Sequence, residues 1–559
     1  MRSEKFALGI DYGTESGRVV VVKVRNGDEV ASTIVPYPDG VIDHRLPGGR
    51  ELEPDWALQN PRDYLTVVEK GVPRALKAAG AKADSVIGIG TDFTASSPLP
   101  TKRDGTPLCF VPAFRKQPHA WVKLWKHHAA QPEANRINEL GRERGEDFIQ
   151  IYGGKYSSEW FFSKLLQVLD EAPQMYDALD RFIEAADWIV WQLTGEEKRN
   201  TCTAGYKAMW VKGKGFPSRE FFRALHPRFE NVAEEKLGSD YYPLGAKAGG
   251  LTPEWACKTG LREGTPISIG NVDAHVAVPA CTVTQPGSLV MIMGTSICHL
   301  LLGTERQMVE GMCGTVEDGV VPGLWGFEAG QSAVGDIFAW FFEHAVPESI
   351  HREARQRKID FVNLLEKRAS LLRPGESGLL ALDWWNGNRS ILVDADLTGM
   401  LLGMTLRTRA DEIYRTLIEA TAFGTRQIIE AFEKKGVAVN NLYACGGLPE
   451  KNKLLMQIYA DATGREIKIA KQLQTCSALG SAMHGAVAAG KAASGYDSIF
   501  DAAQQMAHVQ KLTYKPNSKN REIYDALFHE YHTLHEYFGR GTNDVMKRLK
   551  QLRRTVASG

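Results

Sequence analysis

Long apolar runs are missing from this chain. Nothing in its 559 residues approaches the roughly 18 consecutive apolar residues that a membrane-spanning helix needs. Residues 1–13 hold no apolar core ahead of a small-residue cleavage site. Paired metal-ligand spacing is missing too. The eight cysteines, Cys109, Cys202, Cys257, Cys281, Cys298, Cys313, Cys445 and Cys476, include no Cys-x-x-Cys, which argues against a zinc site and a disulfide framework. Excess charge is absent: 67 Lys and Arg face 67 Asp and Glu, so no overall field gathers nucleic acid or an anionic membrane. No Gly-x-x-x-x-Gly-Lys-[Ser/Thr] occurs, so a nucleotide would have to be held without a P-loop. The expectation is a soluble, cytoplasmic protein with reduced thiols and a small-molecule partner, not nucleic acid or membrane.

What is present is ample core material. At this length and with 43% apolar residues, two to four domains are expected. Short apolar runs alternate with amphipathic stretches of helix length, the pattern of mixed α/β layers. A strand over Phe6 to Asp11, a turn from Tyr12 to Gly17 and a Val-rich strand over Arg18 to Val24 read as a hairpin. A strand over Ser85 to Gly90 leads into a polar loop, Thr91 to Ser97. Residues Asn135 to Lys247 read as helical cover rich in aromatics, and strand signals return at Ile267 to Gly270, Asn271 to His275 and Ser288 to Met293.

The return is a repeat. A strand ending in Gly-Thr with a small hydroxyl residue close by, followed by a second apolar strand, occurs at Ile10 to Val22 and again at Val290 to Leu302. Each copy can present backbone N–H groups at Gly13, Gly17 or Gly294, and hydroxyls at Thr14, Ser16, Thr295 and Ser296, to phosphate oxygens. A third glycine turn, Gly446-Gly447, precedes a helical stretch from Asn452, where bare backbone lets a purine or ribose lie close.

The series Asp11-Tyr12-Gly13-Thr14, Asp273 within Gly-Asn-Val-Asp-Ala-His, Met293-Gly294-Thr295-Ser296 and Cys445-Gly446-Gly447 followed by Asn452 resembles the FGGY family of carbohydrate kinases. Leu397-Thr398-Gly399-Met400 and Arg409-Ala410-Asp411 resemble that family's C-terminal signature, and the match spans residues 6 to about 490. The resemblance implies an α/β fold of two sugar-kinase/actin superfamily domains, with ribonuclease H-like mixed sheets and flanking helices around a catalytic cleft for sugar and MgATP. The boundary is expected near 280–290, giving domains 1–285 and 286–559. Segments Gly90-Thr91-Asp92-Phe93-Thr94, Leu124-Trp125-Lys126, Thr203 to Lys207 and Gly326 to Gln331 are most similar to members that act on ribulose, with L-ribulose to L-ribulose 5-phosphate the expected reaction.

Residue by residue, the resemblance and the demands of phosphoryl transfer imply Asp273 as general base, Asp11 as the Mg²⁺ residue and Arg18 as a charge offset for the moving phosphoryl group. Ala95 (through its backbone), Trp125, Lys207, Asp273 and Glu328 are the expected sugar contacts. Gly13, Thr14, Gly294, Thr295, Gly446, Gly447 and Asn452 are expected to hold ATP. His127 stands where many family members have an Asp, and His127-His128 are read as surface histidines. His529, His532 and His535 miss the His-Glu-x-x-His spacing and are read as a plain helix face. The basic residues from Lys547 onward are read as the end of a solvated helix. Other pentuloses or pentitols, L- against D-ribulose, and a homodimer are left open by the sequence. A non-catalytic nucleotide-dependent scaffold is the competing class, and a carboxylate at Asp273 beside Lys207 and Glu328 argues against it.

Overall fold

The computed structural model describes residues 4–238 and 240–557. Its first sheet grows from the expected hairpin. Phe6–Tyr12 runs antiparallel to Ser16–Lys23, whose consecutive valines Val19 to Val22 suit a pleated, buried strand. Glu29–Pro36 adds a third antiparallel strand. On the other side, Val86–Phe93 lies parallel to Phe6–Tyr12 and continues to Pro266–Ser268, with Lys247–Gly250 antiparallel at the edge. Asn271–Val272 also pairs with Val86–Phe93. The expected polar loop therefore starts later than its polarity suggested. Thr91, Asp92 and Phe93 are buried strand residues, carried onward by parallel pairing with Ile10, Asp11 and Tyr12.

The second sheet repeats this order. Ser288–Met293 pairs antiparallel with Ile297–Gly303, and that strand with Trp325–Gln331. On its other side Asn441–Cys445 and Ile467–Ala470 are parallel, and Val509–Tyr514 closes the edge antiparallel. Gly314–Glu317 is an extra strand beyond Trp325–Gln331. The repeat read from two hairpins thus extends across both sheets. In each, the strand after the glycine turn is antiparallel and the strand on the opposite flank is parallel.

Two helices join the sheets. Asp273–Ala280 follows the first sheet's last strand, and Cys476–Ala488 packs on it and on the strands Phe6–Tyr12 and Val86–Phe93 of the first sheet. Glycine makes this seam possible. A Cβ on Gly9 would fall 1.7 Å from the Ala478 carbonyl oxygen, and one on Gly90 would fall 1.8 Å from that of Ser481. The expected boundary at 280–290 lies between Asp273–Ala280 and Ser288–Met293, while Cys476–Ala488 reaches back across it. Residues 131–229 are mostly helical, broken by the short strands Arg181–Glu184 and Arg199–Asn200, with Trp160, Phe161, Phe162, Phe222 and Phe229 in one apolar cluster.

The basic C-terminal helix Val545–Ala557 is tethered: Lys547 pairs with Asp394 at 2.7 Å and Lys550 with Asp396 at 3.3 Å. Its start is tied to the chain, while Arg548, Leu549 and residues 551–553 are exposed, as expected of the end of a solvated helix. No helix among the described residues is long and apolar enough to cross a membrane, and all eight cysteines are unpaired.

Candidate active site

Strand register builds the acidic centre. Asp11 stands beside Arg18 on one side and Asp92 on the other, and Asp92 in turn is level with Asn271, two residues before Asp273. Asp273 is the first residue of the helix Asp273–Ala280, and its Oδ1 accepts from the Ala274 N–H at 2.6 Å. The sequence placed it in a turn, whereas here the helix start itself aims it. Burial and then the neighbouring Asp11 push the Asp273 carboxyl up to about 7. Burial also raises Asp11, against the opposing pull of Asp92 and Arg18. Asp92 is held well above the usual carboxylate range by burial and by Asp11.

Three carboxylates raised by desolvation, Asp92 and Asp273 further by the charge of Asp11, describe a place that favours a cation. Asp92 adds a second sign: its Oδ2 accepts from the Ser481 hydroxyl, while its buried Oδ1 has no hydrogen-bond partner among the described residues. A hard divalent ion with carboxylate, phosphate and water ligands fits Asp11 and Asp92.

Beside the carboxylates lies a buried ion pair between the two halves of the chain. Lys207 ends the helix Thr201–Lys207, and its Nζ donates to both oxygens of Glu328, on the strand Trp325–Gln331, at 3.0 and 3.1 Å. His275 Nε2 lies 3.4 Å from Glu328. Burial alone would raise Glu328, yet Lys207 and His275 outweigh it and hold the carboxyl well below its ordinary range. Likewise burial would lower Lys207, and Glu328 holds it above the ordinary lysine value. The rings of Trp160 and Tyr206 lie 5.6 and 5.8 Å from Lys207 Nζ.

The glycine turns match in detail. In the first, the Gly13 N–H donates to the Ser16 carbonyl at 3.0 Å, and in the second the Gly294 N–H donates to that of Ser296 at 2.9 Å. The Trp125 indole N–H donates to Thr14 Oγ1 at 3.1 Å, tying a half-buried aromatic to the first turn. The second turn is braced by Val334, whose N–H donates to the Thr295 carbonyl at 2.8 Å. Gly17 does not open a turn: it is buried in its strand, where a Cβ would meet Val67 at 2.4 Å.

Gly446 has φ 98°, and a Cβ there would lie 2.3 Å from the Met293 carbonyl oxygen, so the third turn is pressed against the end of the second hairpin's first strand. Gly447 faces open space. Asn452 caps the helix Lys453–Thr463 by accepting from the Leu455 N–H at 2.8 Å, and donates to Tyr414 at 2.8 Å.

The structure thus brings Asp11, Arg18, Asp273, Lys207 and Glu328 around one centre, with Trp125 joined to Thr14. His127 is corrected. It is fully buried, accepting from the Ala57 N–H at 3.3 Å and meeting Gln167 at 2.9 Å, because its ring packs edge-on to Trp56; only His128 is exposed. Asp92 and His275 were missed as site residues, although Asp92 lies in a segment singled out for the sugar and His275 lies two residues after Asp273.

The chain also matches known proteins over nearly its whole length. Residues 6–279 match the N-terminal domain, and residues 289–489 the C-terminal domain, of the FGGY family of carbohydrate kinases. Ribulokinases of Geobacillus thermodenitrificans and Shouchella clausii are each 58% identical to this chain, over 99% and 100% of it and 98% and 99% of their own lengths. The ribulokinase of Mycolicibacterium smegmatis is 48% identical over 98% of the chain and 96% of its own. Among solved structures, a xylulose kinase from Rhodospirillum rubrum superposes with a TM-score of 0.75 at 19% identity, covering 96% of this chain and 99% of its own. Plasmodium falciparum glycerol kinase with ADP gives 0.74 at 16%, covering 95% and 98%. These two share the two-domain sugar-kinase fold. The chain is an enzyme of the FGGY family of carbohydrate kinases.

Proposed function

We propose that this kinase transfers the γ-phosphoryl group of MgATP to a hydroxyl of ribulose, converting L-ribulose to L-ribulose 5-phosphate in the cytoplasm. The observation that carries the reading is the position of Asp273, with Asp11 and Asp92 on one side and the Lys207–Glu328 pair on the other. Similarity at 58% to ribulokinases supports the choice of sugar.

In this reading the sugar lies against Trp125 and the Lys207–Glu328 pair, with the Ala95 backbone completing its polar contacts. Lys207 donates to a sugar oxygen and Glu328 accepts from a sugar hydroxyl. Asp273, raised to about 7, accepts the proton of the attacking hydroxyl. As the sugar O–P bond forms, the bond from γ-phosphorus to the bridging oxygen breaks and ADP leaves. Arg18, in register with Asp11, offsets charge on the moving phosphoryl group.

Asp11 with Asp92 would hold Mg²⁺, which when bound neutralises part of the triphosphate charge. The Gly13 and Gly294 amides are engaged within their own turns, which leaves the backbone and hydroxyls of Thr14 and Thr295 as donors to phosphate. Gly446 and Gly447 shape the adenosine side, with Asn452 fixing the helix behind them. An ADP-release assay across L-ribulose, D-ribulose, L- and D-xylulose, ribitol and glycerol tests the reading. L-Ribulose should give the highest kcat/KM, and a higher value for xylulose or glycerol would overturn the substrate assignment.

A further inference from the structure

A second side-chain cluster sits where the fold repeats the acidic centre. Asp11 is level with Arg18 and Asp92, and Asp273 opens the helix that follows the first sheet. By the same register, Ile292 is level with Cys298 and Cys445, and Cys476 opens the helix Cys476–Ala488 that follows Ile467–Ala470. Three of the four counterpart positions are therefore cysteines, and a further thiol joins two of them, Cys445 and Cys476. Cys281, at the end of the helix Asp273–Ala280, brings its sulfur within 3.5 Å of that of Cys476. All three sulfurs lie within 4.8 Å of one another.

The chemistry of the cluster is narrow. A soft ion with sulfur at about 2.3 Å needs ligand atoms roughly 3.5–4 Å apart, and the Cys281 and Cys476 sulfurs stand at 3.5 Å with Cys445 within 4.8 Å of both. Cys281, Cys445 and Cys476 are 0%, 1% and 3% exposed, inside an apolar cluster with Ala277, Val278, Val290 and Leu479. No fourth His, Cys, Asp or Glu among the described residues joins the group, so a closed tetrahedral zinc site is ruled out. Three thiolates around Zn²⁺ or Cu⁺ would leave a net negative charge buried, which is costly. A trivalent centre with three thiolates is neutral and takes three ligands by preference.

We propose that Cys281, Cys445 and Cys476 form a binding site for trivalent arsenic or antimony. With arsenous acid, As(OH)₃ and three thiols give As(SR)₃ and three waters. Three As–O bonds break and three As–S bonds form, each thiol proton leaves with a hydroxide as water, and nothing is oxidised or reduced. The product ties the end of the helix Asp273–Ala280 to the strand Asn441–Cys445 and the helix Cys476–Ala488, next to the Gly446-Gly447 turn. Occupancy therefore pins the seam between the halves and should inhibit the kinase.

The test incubates full-length protein with sodium arsenite, removes free arsenite, and reads stoichiometry by native mass spectrometry and coordination by arsenic X-ray absorption. One arsenic per chain with three sulfur neighbours and no oxygen neighbour is expected. Cys476→Ala and Cys445→Ser should each cut uptake at least tenfold, while Cys257→Ser, at an exposed thiol, leaves it unchanged. Oxygen in the arsenic shell of the wild type, full uptake by Cys476→Ala, or no uptake by wild type even after refolding with arsenite would each overturn the site. The wild-type coordination result stands even where a variant fails to fold.

Discussion

The two sheets share a strand order and a set of register positions, yet only the first carries charge there. Asp11, Arg18, Asp92 and Asp273 occupy those positions in the first sheet; Ile292, Cys298, Cys445 and Cys476 occupy them in the second. Both copies keep the turn, with Gly13-Thr14 and Gly294-Thr295 closed by the same kind of N–H to carbonyl bond. Under the proposed function, one geometry serves two tasks. Backbone turns are useful in either half because any phosphate oxygen can take an N–H. Proton transfer needs one carboxylate at one place, and the second half supplies apolar and thiol side chains instead.

The most severe way to break the contrast is to remove the acid. Asp273→Asn should lower kcat by about 10²-fold or more while sugar and ATP still bind, the size expected when a general base is lost. Its counterpart change, Cys476→Ser, should leave kcat within about threefold in a protein whose circular dichroism is unchanged. Comparable losses in both would show that the two positions are not chemically distinct.

Next in size are changes to the buried pair. Lys207→Ala and Glu328→Ala should raise KM for the sugar much more than KM for ATP. Each should also cost roughly 3–5 kcal/mol of stability, because the remaining partner is left buried and uncompensated. Thermal unfolding beside steady-state kinetics separates the two effects, and equal shifts in both KM values would assign the pair to cleft closure instead.

A smaller effect sharpens the seam between the halves. Gly90→Ala places a methyl group against the Ser481 backbone and should destabilise by about 3 kcal/mol. Gly447→Ala, at a glycine with open space around it, should cost under about 1 kcal/mol. Urea unfolding of the two variants reads the difference.

The legible parts of this molecule are those whose signal is local. Both hairpins, the turns and the residues Asp11 and Asp273 stand out in short stretches of chain, as do Lys207 and Glu328 once a family pattern is seen. Asp92 was hidden because Thr91-Asp92-Phe93 has the polarity of a loop. It is strand because of its parallel neighbour Asp11, and its hydroxyl partner Ser481 lies 389 residues away. His127 was misread for the same reason: its partners Ala57 and Gln167 are remote in sequence, and no spacing rule links them. The packing of Cys476–Ala488 on the first sheet depends on Gly9 and Gly90, which inside a strand pattern read only as weak positions.

The central claim is that charge gathered in the first half tunes Asp273 as the proton acceptor. The direct measurement is the pH dependence of kcat/KM for MgATP, which reports groups on the enzyme before nucleotide binds. A base must be deprotonated, so activity should fall as pH drops below about 7, by tenfold per pH unit. In Asp11→Asn one repelling charge is gone, so the limb of the residual activity should move to lower pH. A limb near the ordinary carboxylate value of about 4 in the wild type, or an unmoved limb in Asp11→Asn, would contradict the account.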